Sequence, residues 1–174
     1  MMLYNRSALA SALVLVVTVM LVLAPTASAA VSVGEKAPNF SLGSVDGKST
    51  IKLSDYTNKP TMLAFWASWC SHCQNEAPIL NKVYDDLKSK GINVVGVSVD
   101  GSIESAQKFV KEYSVKYQNA FAGTDAGADV IENYGIEGVP ATFIIDKDGV
   151  IKAIFIGEVS ADTLKAEFAK LGVK

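Results

Sequence analysis

The chain has 174 residues, of which 49% are hydrophobic and 20% are charged, and its formal net charge is −2 at neutral pH. Arg6 is the only arginine, so the chain beyond the N-terminal segment lacks the guanidinium forks that clamp phosphates and recognise base edges. The near-neutral charge balance also excludes the basic surface typical of nucleic-acid binding. We therefore expect no nucleic-acid partner.

The N-terminal segment, residues 1–29, has the pattern of an export signal. A basic residue, Arg6, precedes an apolar run over residues 8–24, and the small residues Ala27-Ser28-Ala29 follow. The run is at the lower limit of the roughly 17–25 residues that span a bilayer, so a cleaved signal peptide and a retained membrane anchor both stay open. We expect an exported protein that is secreted, periplasmic or held at the outer face of the cytoplasmic membrane.

The remaining residues, 30–174, are long enough for one domain with a buried core. Apolar runs and period-two patterns predict strands, and apolar residues at helical spacing predict helices. The predicted strands are two short pieces around Asp46-Gly47, then residues 61–67, 92–100, 119–123, 141–146 and 150–156. The predicted helices cover about residues 70–89, 103–113, 128–135 and 161–171.

The order of these elements predicts the fold class. Alternating strands and helices give parallel strands joined by right-handed crossovers. The turn sequence Lys147-Asp148-Gly149 predicts an antiparallel hairpin between the last two strands. We therefore expect an α/β protein with a mixed central β-sheet and helices on both faces.

The chemistry-bearing residues are concentrated at one place in the chain. Cys70 and Cys73 are the only cysteines, and His72 is the only histidine. A disulfide between residues three apart restrains the unfolded chain very little, so the pair indicates redox chemistry or metal binding rather than stabilisation. A zinc site normally needs four ligands, and this cluster offers three adjacent groups. We expect a redox pair with no metal and no cofactor.

The position of the pair suggests a division of roles. Cys70 is predicted at the start of a helix, where unpaired N–H groups and the helix dipole stabilise a thiolate. Cys73 follows one turn later and can attack a mixed disulfide formed at Cys70. We expect Cys70 to be the nucleophile and Cys73 the resolving cysteine.

Three stretches resemble the thioredoxin superfamily: "FWASWCSHC", "GVPATFIIDKDG" and the opening "VGEKAPNFSL". The last is similar to the exported TlpA/ResA-like branch, and the resemblance covers about residues 33–172. It implies a thioredoxin-like fold, a redox-active disulfide between Cys70 and Cys73, and thiol–disulfide exchange with protein substrates. It also implies a membrane electron donor or acceptor.

The resemblance assigns roles to individual residues. Cys70 matches the exposed nucleophile, Cys73 the buried resolving cysteine, and Trp69 the aromatic residue before the nucleophile. Pro140 matches a proline that follows a cis peptide bond, and the backbone of Val139 matches the segment that pairs with the substrate chain. Pro78 matches a proline that kinks the active-site helix, although a simple helix irregularity is the alternative.

One position departs from cytoplasmic thioredoxins, which carry a buried aspartate where this chain has Ala64. Glu76 lies one turn after Cys73 and matches an acidic residue that moves the proton of the resolving cysteine in ResA-like proteins. The alternative is a solvated helix carboxylate.

His72 bears on the direction of electron flow. An imidazole beside the thiolate would stabilise the reduced form and make the disulfide a better oxidant; the alternative is an exposed histidine with little effect. The family branch contains mostly reductants that serve cytochrome c assembly or similar tasks. These two indications conflict, so the sequence leaves the direction open.

Two other functions are alternatives. The pattern "APNFSL" is shared with peroxiredoxins, which suggests a thiol peroxidase, but threonine and arginine partners for peroxide are missing around Cys70. A copper-delivery protein of the metallochaperone type would need a C-x-x-x-C pair and a distant histidine. This chain has a C-x-x-C pair, and its one histidine lies within that pair. The favoured prediction is an extracytoplasmic thiol–disulfide oxidoreductase.

Overall fold

The computed structural model describes residues 30–174. The predicted signal peptide or membrane anchor, residues 1–29, lies outside the described residues. Across residues 30–174, none of the helices combines the length and the apolar character that crossing a membrane requires.

Seven strands and four α-helices make up the described domain. The strands are β1 (Ser41–Gly43), β2 (Thr50–Lys52), β3 (Thr61–Trp66), β4 (Asn93–Ser98), β5 (Gln118–Phe121), β6 (Ala141–Ile145) and β7 (Ile151–Ile156). The helices are α1 (Ser71–Leu87), α2 (Ile103–Glu112), α3 (Asp125–Tyr134) and α4 (Ala161–Lys170).

The central sheet has five strands in the order β5-β4-β3-β6-β7. Strands β3, β4 and β5 run parallel, while β6 is antiparallel to β3 and β7 is antiparallel to β6. Strands β1 and β2 form a separate antiparallel hairpin around the predicted turn. The mixed sheet and the antiparallel β6–β7 pair confirm the predicted topology.

Helices cover both faces of this sheet, as predicted. The connections β3–α1–β4 and β4–α2–β5 step across the sheet in the same direction, and right-handed crossovers therefore place α1 and α2 on one face. Leu164 and Phe168 of α4 pack with Leu80 of α1 in one apolar cluster. Tyr134 of α3 packs with Leu42 of the β1–β2 hairpin in another cluster, which covers the opposite face.

Strand β3 is buried along its whole length because both of its faces are covered. Met62 and Ala64 contact the cluster beneath α1 and α4, whereas Leu63 and Phe65 face the cluster beneath α3. This double burial explains the unbroken apolar run, since a strand with one solvent-facing side would alternate. The carboxyl end of β3, the central strand, leads directly into the cysteine segment and fixes its position at that end of the sheet.

Helix α1 begins immediately after Cys70 and ends at Leu87, two residues before the predicted end. A short 3-10 turn, Lys88–Lys90, continues the chain to Gly91, whose φ of 89° is a left-handed conformation suited to glycine. Pro78 lies inside the helix. The kink that the resemblance assigns to Pro78 stays a prediction.

Candidate active site

Cys70 and Cys73 form a disulfide at the N-terminus of α1, with their Cα atoms 5.2 Å apart. Cys70 is the N-cap residue, and its sulfur accepts a hydrogen bond of 3.1 Å from the backbone N–H of Cys73. A sulfur at this place receives one of the unpaired N–H groups of the first helical turn. The same N–H would stabilise a Cys70 thiolate once the disulfide is reduced.

The two cysteines differ only slightly in accessibility. Cys70 is 6% exposed and Cys73 is 2% exposed, so both are buried in this disulfide-bonded form. The order agrees with the expected roles, but Cys70 is less exposed than the resemblance implies. The reason is packing: Cys70 lies in an apolar cluster with Trp66 and Ala67, and Val139 packs against that cluster.

The segment before β6 lies against the disulfide. The Val139–Pro140 peptide bond is cis, as the resemblance implies. The carbonyl oxygen of Val139 is 3.3 Å from the Cys70 sulfur. The backbone that is expected to pair with a substrate chain therefore lies directly beside the predicted nucleophile.

Glu76 is buried, with only 2% of its surface exposed. Its Oε1 accepts a hydrogen bond of 3.1 Å from the backbone N–H of Val159. Burial raises the pKa of Glu76 to about 7, the negative charge of Glu158 contributes in the same direction, and the Val159 hydrogen bond opposes both. The alternative of a solvated helix carboxylate is wrong for this residue.

His72 lies on the exposed side of the first turn of α1. Its Nδ1 contacts Oε1 of Glu158 at 2.5 Å, and the same oxygen accepts a hydrogen bond of 3.1 Å from Asn75. Hydrogen bonds from His72 and Asn75 lower the pKa of Glu158. The effect of His72 on the Cys70 thiolate stays a prediction, but the imidazole has a carboxylate as its polar partner.

The comparisons with known proteins agree with this geometry. Residues 33–154 match the model of the AhpC/TSA family. The chain belongs to the AhpC/TSA family. It is 34% identical over 139 residues to the thiol-disulfide oxidoreductase ResA of Bacillus thuringiensis subsp. konkukian, and the match covers 80% of this chain and 78% of that protein.

Two solved structures extend the likeness to the fold. The thioredoxin domain of a thiol-disulfide oxidoreductase from Bacteroides vulgatus superposes with a TM-score of 0.74 at 30% identity, covering 83% of this chain and all of that one. A secreted disulfide oxidoreductase of Mycobacterium tuberculosis has a TM-score of 0.66 at 25% identity, covering 76% of this chain and 96% of that one. This AhpC/TSA protein is a thiol–disulfide oxidoreductase with a thioredoxin-like fold, in the TlpA/ResA-like branch.

The site of this oxidoreductase includes a buried aspartate that sequence analysis missed. Asp100 is 1% exposed and accepts hydrogen bonds from the backbone N–H and the hydroxyl of Ser68 and from the hydroxyl of Ser98. These bonds hold the loop that carries Trp69 and Cys70. The parallel pairing of β3 with β4 brings the two strand ends together, and that adjacency was the available signal.

Two exposed apolar side chains border the Cys70–Cys73 disulfide site. Trp69 is 71% exposed and Ile156 is 72% exposed. Ile156 pairs with Ala141, and the following residue, Gly157, donates its N–H to the carbonyl of Pro140 at 2.8 Å. Sequence analysis predicted Trp69 but missed Ile156, because the apolar run of β7 gives no sign of which residue faces solvent.

Within residues 30–174, no three His, Cys, Asp or Glu side chains are grouped so that they could hold a metal ion.

Proposed function

We propose that this oxidoreductase exchanges disulfides with protein substrates outside the cytoplasm, with Cys70 as the attacking thiolate and Cys73 as the resolving cysteine. The observation that carries the proposal is the position of the Cys70 sulfur. It accepts a hydrogen bond from the Cys73 N–H at the helix N-terminus and lies 3.3 Å from the Val139 carbonyl. The nucleophile and the substrate-pairing backbone are thus adjacent.

The exchange proceeds in two steps. In the reducing direction, the Cys70 thiolate attacks one sulfur of a substrate disulfide, and the other substrate sulfur leaves as a thiolate. Cys73 then loses its proton and attacks the Cys70 sulfur of the mixed disulfide, which releases the second substrate sulfur as a thiolate. The enzyme ends with the Cys70–Cys73 disulfide, and the substrate ends with two thiolates, which take up protons from solvent. The oxidising direction reverses these steps.

Glu76 is proposed to accept the proton of Cys73 in the second step. It lies one turn after Cys73 on α1, and Ala64 leaves the position of the usual thioredoxin carboxylate without an acid. A carboxyl with a pKa of about 7 can accept and return a proton near neutral pH. Its burial supports this role, since a solvated carboxylate would be ionised and a weaker base.

The location outside the cytoplasm is supported by two observations. Residues 1–29 have the pattern of an export signal or anchor. A structural neighbour of similar fold is a secreted disulfide oxidoreductase. We further propose a reductant that serves cytochrome c maturation and receives electrons from a membrane partner, since the TlpA/ResA-like branch contains such proteins.

Trapping of mixed disulfides tests the proposal. Cys73→Ser leaves the intermediate at Cys70 unresolved, so the variant expressed in the native cell envelope should form covalent adducts with protein partners that dithiothreitol releases. Cys70→Ser is the matched control and should form far fewer. Adducts through Cys73 alone, or none with either variant, would contradict it. Peroxide consumption and copper titration of the reduced protein test the two alternative functions.

A further inference from the structure

The three residues that follow β7, Gly157–Val159, each contact the region of the active site. Gly157 donates its N–H to the Pro140 carbonyl. Glu158 contacts His72 and Asn75 through its carboxylate, and Val159 donates its N–H to Glu76. We call Gly157–Val159 the β7–α4 corner.

Glu158 is the residue of this corner that binds α1 on its solvent-exposed side. Its side chain is 36% exposed, whereas Glu76 is 2% exposed. The partners of Glu158 lie in the first two turns of α1, on either side of Cys73 in the sequence. The next residue along the chain supplies the N–H that binds Glu76. The partly exposed contact between Glu158 and α1 is therefore joined, through the peptide bond between Glu158 and Val159, to the buried carboxylate of Glu76.

We propose that Glu158 is a positioning residue for proton transfer at Cys73. By binding His72 and Asn75 it holds the β7–α4 corner against α1, so that the Val159 N–H meets the Glu76 carboxylate. The inference rests on the proposed function of Glu76 as the group that moves the Cys73 proton. It assigns His72 a second role, as one of the two anchors of this corner.

Glu158 acts on Glu76 through charge as well as through position. Its negative charge disfavours an ionised Glu76, whereas the hydrogen bond that it helps to position favours one. Tyr117, at the approach to β5, is a titratable group whose pKa is in turn raised by the charge of Glu76. Burial raises the pKa of Tyr117, so its phenol is neutral throughout the relevant pH range. Glu158 is thus the charged neighbour that tunes Glu76.

Two substitutions separate position from charge. Glu158→Gln keeps an amide oxygen that can accept from His72 and Asn75 and removes the charge. Glu158→Ala removes both. We expect Glu158→Ala to slow resolution of a Cys70 mixed disulfide roughly tenfold, a part of the ~10²–10⁴-fold that a general base contributes. We expect Glu158→Gln to stay within about threefold of wild type, with its pH profile displaced to lower pH because the like charge is gone.

The test measures single-turnover decay of a preformed mixed disulfide at Cys70 across pH, in the wild-type background and in the Glu76→Gln background. Glu132→Ala, an exposed carboxylate on α3 over the opposite face of the sheet, is the matched control and should decay at the wild-type rate. The proposal predicts that Glu158→Ala slows decay in the first background and adds little in the second, because the two residues act on the same step.

The outcomes distinguish this inference from the proposed function. If Glu76→Gln slows decay and Glu158→Ala does not, the positioning role is wrong while the role of Glu76 survives. An equal effect of Glu158→Ala in both backgrounds would also overturn it. If Glu76→Gln has no effect, the proton-transfer role of Glu76 fails. Should Glu158→Ala fold poorly, Asn75→Ala, which removes one of the two contacts of Glu158 with α1, decides instead, and decay at the wild-type rate would contradict the positioning role.

Discussion

The backbone N–H of Val159, in the β7–α4 corner, donates to Oε1 of Glu76 over 3.1 Å. A helix residue and a residue 83 positions later are joined at the redox centre. Burial, rather than a strong charge partner, is the main cause of the raised pKa of this carboxyl. The acid–base properties of the site therefore depend on how tightly the β7–α4 corner packs.

The role of Glu76 is tested by Glu76→Gln, which keeps the shape of the side chain and an acceptor oxygen for Val159. We expect resolution of the Cys70 mixed disulfide to slow by about 10²-fold near neutral pH, because a general base typically contributes ~10²–10⁴-fold. The measurement is stopped-flow or quenched decay of the mixed disulfide, with Glu132→Gln as control. Wild-type kinetics in Glu76→Gln would show that another group moves the proton.

The same carboxyl predicts a dependence of stability on pH. Glu76 has a pKa of about 7 in the folded protein against an ordinary value of 4.5, so the folded state holds this proton more tightly than the unfolded state. The stabilisation that protonated Glu76 gives the folded state is fully present below pH 4.5 and is lost as the pH rises to about 7. The shift corresponds to about 3 kcal/mol in the free energy of unfolding.

Denaturant unfolding of the disulfide-bonded protein at several pH values measures this contribution. We expect the difference between wild type and Glu76→Gln to change in favour of the variant as pH rises from 4.5 to 7, and to level off above. The pKa values of Asp46, Asp85 and Asp86 are lowered, so these groups titrate below this window. A difference that is constant across the window would show that Glu76 is ionised throughout.

The contribution of His72 is tested by the reduction potential. If its charge stabilises the Cys70 thiolate, His72→Ala makes the disulfide harder to reduce, and a change of about 30 mV corresponds to about 1.4 kcal/mol. Because Glu158 holds the imidazole, we expect a larger change when His72→Ala is made in a Glu158→Gln background. Equal potentials with glutathione buffers at every pH would make His72 a bystander to the thiolate.

The exposed side chains Trp69 and Ile156 predict a preference for protein substrates. Trp69→Ala and Ile156→Ser should each lower kcat/KM several-fold for a protein disulfide, because exposed apolar groups beside a site provide contact area for a partner. The rate of reaction with dithiothreitol should stay at the wild-type level, since a small thiol needs no such contacts. Equal losses with both substrates would instead indicate damage to the disulfide segment itself.

The sequence predicted much of the fold because its signals are local. The apolar run of β3, the glycine stop at Gly91 and the turn at Lys147-Asp148-Gly149 each define an element without knowledge of the rest of the chain. The cysteine pair at a helix start was predicted in the same way. The burial of Glu76 was not, because it depends on a corner of the chain that is distant in sequence.

The remaining site residues needed tertiary structure for the same reason. Asp100 is set beside Ser68 by the parallel pairing of β3 and β4, and Glu158 is brought to His72 by the packing of the last β–α unit on α1. Neither has a neighbouring sequence pattern that marks it as part of a redox site. The partner of His72 in particular changes the interpretation of that residue from a group beside a thiolate to a group that also binds a carboxylate.

The most direct test of the account is the order in which the two cysteines react. The reduced protein is treated with a small excess of iodoacetamide at neutral pH, quenched at short times and mapped by mass spectrometry. We expect Cys70 to be alkylated first and Cys73 to react slowly, because the Cys70 sulfur receives the N–H of the helix N-terminus and is the more exposed of the two. Faster alkylation of Cys73 would contradict the assignment of nucleophile and resolving cysteine on which the mechanism depends.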